Sequence, residues 1–525
     1  MLGCVLTACS AAHSVSTRTN AACDGGEPGA CECSDRATGK RACGATSSPS
    51  DEDAGSTPAV SAADSGRSQD GASAPQSTEP ATQTPEAPSD APNTDAKPEA
   101  PATAEPEVSA PPPPAAGPEV VVEPNDDAAY LFDQATVRTY DIQLDPDDLA
   151  KIDDNPGAEA IVPGSLVFEG QTYGPLGVRY KGSIGAFHPP CLAGGMGSPR
   201  DGKCSIKLDF NELDSEGRFF GLKKLNLHSM NNDASLLRDR LGYTMFREMR
   251  VAAPRAAHAR VLINGELQGL FIAVEQVDGR FTRARFAEGG DGNVYKEVWP
   301  MYTDAQPYRA ALETNAELDN VQRMLDFKAA IDIGPEATAE WVDLDYTTRY
   351  LAVDRVIIND DGIMHFWCNQ VSQGNNLGPF GNHNFYWYEA AAQNRFWLIP
   401  WDLDHSFDSE PVVHVHPEWN STGSECLCQD TGDFGYQYPA ACETLIQRFI
   451  AWDTQFQAQT DAFLDGPFTK DHVDALLTKW RTQIQPFVVE ANGVNRSLSE
   501  ADWATGVIEL ERKITMAREN RGYPY

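Results

Sequence analysis

The chain has 525 residues, 77 Asp and Glu against 41 Lys and Arg, and a formal net charge of −36. That balance argues against nucleic acid and against an anionic membrane surface as partners, because both reward positive charge. It favours solubility and contacts with cations or basic substrates.

At the N-terminus, Leu6-Thr7-Ala8-Cys9 resembles a bacterial lipobox, which directs lipid attachment to the cysteine after export. The apolar run before it is short and carries no basic residue, so the natural start is expected upstream, with residues 1–20 a signal remnant. Residues 21–43 hold Cys23, Cys31, Cys33 and Cys43. In an exported chain these read as two disulfides in a small module; Cys-x-Cys is not the Cys-x2-Cys spacing of a zinc knuckle. Residues 44–124 are mostly Ala, Pro, Ser, Thr and acidic residues, with 14 acidic against 2 basic side chains, and so carry −12 of the total charge. Such a segment buries too little to offset its ordering entropy and reads as a disordered tether. No long apolar run follows, so no membrane span is expected. These features place the protein outside the cytoplasm, as a lipoprotein of the bacterial outer membrane or cell surface that touches the membrane only through its anchor.

Residues 125–525 have the texture of a folded domain. Thr136–Leu144 alternates like a strand, and the acidic stretch from Asp145 reads as a capped short helix. Strand-like pieces follow around Val162, Val178, Ile206 and Leu225. An amphipathic helix from Asp233 to Arg250 groups Leu236, Leu237, Leu241, Met245 and Phe246 on one face. His258–Val277 reads as a hairpin turning at Asn264-Gly265. Another strand contains Val294 and Lys296, and two helices are expected at about 317–332 and 337–358, with Asp345 as an N-cap. A second hairpin, Asn384–Asp404, follows, and three helical stretches close the chain from Ala441. Cys191 and Cys204 flank a Gly/Pro-rich loop that a disulfide between them would close. His414 and His416 are too few ligands for zinc and read as loop residues. The order of elements predicts an α+β domain in two parts.

Three polar clusters interrupt this pattern: Asn359–Gly362 at a helix end, Gly381–Asn384 opening the second hairpin, and Asp402 and Asp404 closing it. Hairpin ends meet, so Asn384 and Asp402 should lie together. On a strand, Asp402 and Asp404 would share a face. Carboxylates and an amide oxygen suit Mg²⁺ or Mn²⁺ carrying phosphates, and a further carboxylate, Asp361 or its neighbour Asp360, would take a proton from an incoming hydroxyl. Phosphate also needs cations, and Arg179, Lys181, Lys207, Arg238 and Lys296 are the candidates. Lys207 sits mid-strand between apolar neighbours, where a ligand-directed lysine and a snorkelling edge lysine are both admissible.

Taken together and in order, Val178–Ser183, Cys204–Phe210, Gly221–Leu241, Val261–Asp278, Asn293–Glu297, Asn359–Gly362, Asn382–Tyr388 and Ile399–Phe407 resemble the CotH kinase family. The resemblance implies a divergent, two-lobed protein-kinase-like fold with a helical C-terminal extension. It also implies transfer of the ATP γ-phosphate to serine, or another hydroxyl, of exported or surface proteins by a monomeric enzyme. On that resemblance Asp361 is the catalytic residue, and Asp402 is the principal metal ligand, with Asp404 and Asn384 beside it. Lys207 meets the nucleotide phosphates, with Arg179 and Lys181 lining the same cleft. Two alternatives stand beside this reading: a catalytically inactive surface adhesion module on the same scaffold, and a metal-dependent phosphohydrolase.

Overall fold

The computed structural model describes residues 126–182, 203–286, 290–368, 379–407, 426–430 and 436–522. The lipobox, the cysteine cluster, the tether, Cys191 with most of its loop, and His414 and His416 lie outside the described residues.

The early alternating segments build a barrel. Strands β1 (Arg138–Leu144), β2 (Val162–Phe168), β3 (Gln171–Tyr180), β4 (Ile206–Asp209), β5 (Lys224–His228), β6 (Ala256–Ile263) and β7 (Glu266–Glu275) close in the order β1-β2-β3-β4-β5-β7-β6. Every neighbouring pair is antiparallel except β1 and β6, which run parallel and seal the barrel. Inward positions such as Ile142, Leu166, Val178, Leu208, Leu227, Val261 and Phe271 form one apolar core. With period-2 alternation, the residues between them point outwards. The β6–β7 turn is the expected one: Asn264 at φ 53° and Gly265 at φ 79° adopt the left-handed conformations of a two-residue hairpin loop.

Helix α1 (Pro146–Asp154) follows β1 and is capped by Asp145, whose side chain accepts from Asp147 N. Helix α2 (Arg238–Glu248) follows β5. It begins later than the apolar pattern suggests, because the Asp233 carboxylate takes the peptide N–H groups of Ser235 and Arg238 and holds the preceding turn. Nor is it amphipathic: Asp239 through Phe246 are all buried. Arg240 and Glu248 on it meet Gln483, Trp480 and His472 of the C-terminal helices, which the sequence leaves as a separate extension.

A second, larger core holds the rest. It gathers α3 (Gly279–Arg285), β8 (Val294–Lys296), α4 (Gln306–Ala310), α5 (Gln322–Ile333), α6 (Pro335–Ala339) and α7 (Leu344–Val356), then β9 (Phe366–Cys368), β11 (Phe385–Ala390) and β12 (Arg395–Pro400), while β10 (Pro379–Gly381) pairs with β9. Strands β13 (Gln429–Asp430) and β14 (Tyr436–Tyr438) lead into α8 (Thr444–Ile450), α9 (Asp453–Asp465), α10 (Lys470–Ala491) and α11 (Glu500–Glu519). The small sheets run β10-β9-β14-β13 and β12-β11-β8. The expected two central helices are three, since the chain breaks after α6. The N-cap of α7 is Asp343, which accepts from Tyr346 N, and not Asp345, which lies in the first turn. Four helices, not three, end the described chain. They are integral to the body: Trp480, Leu477 and Trp503 belong to the large core, Gln483 on α10 accepts from Arg240, and Trp503 Nε1 donates to Ser235 O.

The α+β class therefore holds. Two disulfides, Cys368–Cys428 and Cys426–Cys442, belong with an oxidising, extracytoplasmic setting. No helix among the described residues is long and apolar enough to cross a membrane.

Candidate functional site

Part of the barrel's outward face packs into the second core through Leu270, Ile272 and Val274, and beside this patch it carries polar side chains. Register places Arg179 on β3, Lys207 on β4, Asn226 on β5 and Val274 on β7 in one row. Leu225 and Leu227 point inwards, so Asn226 and His228 point out by alternation. Lys181 continues the outward face past the end of β3, where its Nζ lies 2.8 Å from His228 Nε2. The same ammonium sits 5.4 Å from the centroid of the Trp401 ring, and His228 meets that ring edge-on.

The side chains that face these come from the second core. Strands β11 and β12 pair from Phe385↔Pro400 to Ala390↔Arg395, and Trp401 N donates to Asn384 O at 3.0 Å, so the hairpin ends do meet. Strand β12 stops at Pro400, however. Asp402 takes φ 46° and leaves the strand geometry. Asp402 and Asp404 therefore do not share a strand face, as alternation suggested. Asp402 turns towards His228, with Oδ1 3.7 Å from Nδ1, while Asp404 Oδ2 accepts from Asn232 at 3.1 Å.

The Asn359–Gly362 turn is tied to this loop by the backbone: Phe407 N donates to Ile357 O at 2.6 Å. Ile358, β-branched, is held at φ 48°, a strained conformation that clusters at functional sites. Gly362 is required by close approach, because a Cβ there would meet Asn359 Nδ2 at 2.3 Å. The turn aims its two aspartates differently. Asp360 is buried beside His365, with 3.9 Å between its Oδ1 and Nε2. Asp361 accepts from Trp367 Nε1 at 3.0 Å and from Asn384 Nδ2 at 2.8 Å. Asp361, Asn384 and Asp402, widely spaced in the chain, thus converge.

Charge interactions join the two sides. Burial pushes the Asp402 carboxyl up, but His228, Lys181, Lys296 and His405 together hold it below its usual value. Asp361 is raised by burial, with a small contribution from Asp402, against the pull of His405, His383 and the Trp367 N–H. Asp404 is pushed up to about 7, again chiefly by burial. Burial also lowers Lys181, against Asp402, and lowers Lys207 to about 8, helped by Lys224 and opposed by Glu313. Lys207 pairs with Arg179 across β3 and β4, and Lys181 N donates to Ser205 O beyond them. Arg179 is paired with Glu159 at 2.5 Å, and Arg238 donates to the Asp404 carbonyl at 3.1 Å.

Two residues that the sequence motifs passed over stand at the centre. His228 is readable from the alternation of β5. Asp239 is not: it lies between two arginines on a helix whose burial no local pattern reveals. Its Oδ2 is 3.8 Å from His228 Nδ1, and its Oδ1 accepts from Leu403 N at 2.9 Å. Among the described residues, His228, Asp239 and Asp402 form a group whose ligand atoms all lie within 4.8 Å of one another.

A closed barrel set against a mixed helical body, with acidic and basic side chains interleaved where they meet, defines an α+β protein. Comparison with known proteins makes this specific. The profile described as CotH kinase protein matches residues 178–518, and the chain belongs to that family. The inner spore coat protein H of Bacillus subtilis (strain 168) is 26% identical over 308 residues, which cover 54% of this chain and 75% of that protein.

Proposed function

We propose that this chain is an exported, metal-dependent phosphotransferase that moves the γ-phosphoryl group of ATP to a serine or other hydroxyl of secreted or surface proteins. In this reading the barrel and the helical body are the two lobes of a divergent kinase-like fold. The observation that carries it is the convergence of Asp361, Asn384 and Asp402, with Lys181 of the barrel wall and Lys296 of β8 acting on Asp402 and Lys207 beside Lys181. Arg179 lines the same wall.

The donors fit a divalent ion: Asp239 Oδ2 and His228 Nδ1 are buried without hydrogen-bond partners beside the Asp402 carboxylate. Asp402, with Asp404 and Asn384 nearby, would hold Mg²⁺ or Mn²⁺, which neutralises phosphate charge when bound. Asp361 accepts the proton of the substrate hydroxyl as its oxygen bonds to the γ-phosphorus and the bridging β–γ P–O bond breaks, releasing ADP. Its raised carboxyl is a better base than an ordinary one, and the Trp367 and Asn384 N–H groups fix its orientation. Lys181 and Lys207 orient and neutralise the polyphosphate.

The test is transfer of label from γ-labelled ATP to protein. Asp361→Asn and Asp402→Asn should each reduce it by about 100-fold or more. Parental rates in both variants would refute these roles. ATP with metal should also raise the melting temperature by mass action. A flat response with no labelling points instead to an inactive binding module, and phosphate release without labelling points to a hydrolase.

A further inference from the structure

Where the barrel and the body meet lies an unusual gap. His228 and Asp239 are only 4% and 2% exposed, yet His228 Nδ1 and Asp239 Oδ2 make no hydrogen bond. They face each other at 3.8 Å, and Nδ1 faces Asp402 Oδ1 at 3.7 Å, ion-pair separations for a protonated ring but too long for the hydrogen bonds that a neutral ring would need. Both separations exceed hydrogen-bond reach. Buried polar atoms left apart at such a distance are costly unless something joins them. An ion about 2.0–2.2 Å from each donor spans these separations. The Asp402 side chain, 38% exposed, has room to close the remaining distance.

The surroundings hold these donors in place. Lys181 Nζ takes the other ring nitrogen, Nε2, at 2.8 Å, which leaves Nδ1 directed at the carboxylates. Leu403 N fixes Asp239 through Oδ1 at 2.9 Å, and Asp402 N donates to Tyr243 OH at 2.9 Å. Such outer contacts orient ligands in metal sites.

We propose that His228 Nδ1, Asp239 Oδ2 and Asp402 Oδ1 form a site for a first-row transition-metal ion, so that of the two ions named above Mn²⁺, and not Mg²⁺, is the one held on Asp402. Mg²⁺ demands oxygen donors and gives up its water reluctantly, whereas an imidazole nitrogen suits transition-metal ions. One imidazole and two carboxylates supply a nitrogen donor and two negative charges to a divalent ion. With the ion on Nδ1, the ring proton sits on Nε2, so the Lys181 ammonium gives up its bond to that nitrogen and keeps its charge for the polyphosphate. The use of the ion in phosphoryl transfer rests on the function proposed above; its binding does not.

The experiment uses the whole chain with its disulfides intact and no nucleotide. Co²⁺ binding is followed by visible d–d absorption and Mn²⁺ binding by paramagnetic resonance, each with Mg²⁺ as competitor. The parent should show Co²⁺ bands of nitrogen and oxygen ligation, without thiolate charge-transfer bands, and excess Mg²⁺ should not displace the ion. His228→Asn should weaken Co²⁺ and Mn²⁺ binding by at least about tenfold while changing Mg²⁺ affinity far less. Asp402→Asn should also weaken Co²⁺, with circular dichroism confirming that both variants are folded. Equal competition by Mg²⁺, absence of Co²⁺ binding, or parental affinity in folded His228→Asn would each overturn the proposal. Should His228→Asn fail to fold, the parent's Mg²⁺ competition and Asp402→Asn still decide. Metal binding as described without any phosphoryl transfer would sink the kinase reading alone.

Discussion

Trp367→Phe removes one N–H and little else. The indole Nε1 donates to Asp361 Oδ1 at 3.0 Å from strand β9, while Asn384 holds the other carboxylate oxygen at 2.8 Å. Phenylalanine keeps most of the ring, and the backbone pairing of Trp367 with β10 and β14 does not depend on the indole. The lost bond favours the ionised carboxylate, so its removal raises the Asp361 pKa beyond what burial already does. A hydrogen bond to a charged group contributes about 1.5–3 kcal/mol. At 1.36 kcal/mol per pKa unit this moves the acidic limb of the activity profile up by about 1–2 pH units. The assay is kcat/KM for phosphoryl transfer against pH, in parent and variant with the same substrate and metal. Ionisations of ATP or substrate are common to both and cancel. The variant should be slow where the parent is already at its plateau, and should regain the parental rate at higher pH. An acidic limb in its parental position would refute the role of Asp361 as the base. A uniform loss at all pH values would show that Trp367 acts by packing.

Three further outcomes follow from the fold. Glu275 is fully buried and accepts from Arg255, Arg280 and Arg285; burial pushes its carboxyl up, but Arg285 and Arg255 overcome this and hold it well below the usual range. Glu275→Gln should cost about 3–5 kcal/mol in denaturant unfolding at neutral pH. Because the folded-state pKa is depressed, this stabilisation is fully present above the unfolded value of about 4.3 and fades only as pH falls below it. An unchanged midpoint at pH 7 would contradict the network's importance. Reducing Cys368–Cys428 and Cys426–Cys442, which span 60 and 16 residues of sequence, should lower stability by about 3–4 kcal/mol per bridge in the chain-entropy account. Since Cys368 adjoins Trp367, activity should fall before global unfolding in a reductant titration; simultaneous loss would argue against local coupling. Gly242 on α2 lies under the Asp402 loop, where an added Cβ would meet Leu403 Cδ1 at 2.8 Å. Gly242→Ala should therefore destabilise by about 1–3 kcal/mol and weaken metal binding; full retention of both would mean that the loop tolerates displacement.

Much of this was legible before any coordinates. Alternation marks β1, strand-like pieces mark β2 to β5, Asn264-Gly265 marks the turn between β6 and β7, and the second hairpin is recognisable with Asn384 and Asp402 at its two ends. Some errors were local competitions: Asp343, not Asp345, caps α7, and Asp233 delays the start of α2 by taking peptide N–H groups itself. Others concern geometry that spacing cannot carry. Asp402 looked strand-like, but β12 ends at Pro400 and a left-handed residue re-aims the carboxylate.

The sequence by itself determined which segments alternate, where they turn, and which polar residues interrupt apolar runs, because those are properties of neighbours along one chain. Only the tertiary structure decided that seven strands close on themselves, that α2 is buried from Asp239 to Phe246, and that Asp239 meets His228 and Asp402. The closing pair, β1 with β6, joins residues more than a hundred positions apart. Arg240 on α2 is met by Trp480 and Gln483 of α10, more than two hundred residues downstream. No local periodicity encodes such contacts, since they arise from which surfaces remain to be covered once the individual elements have formed.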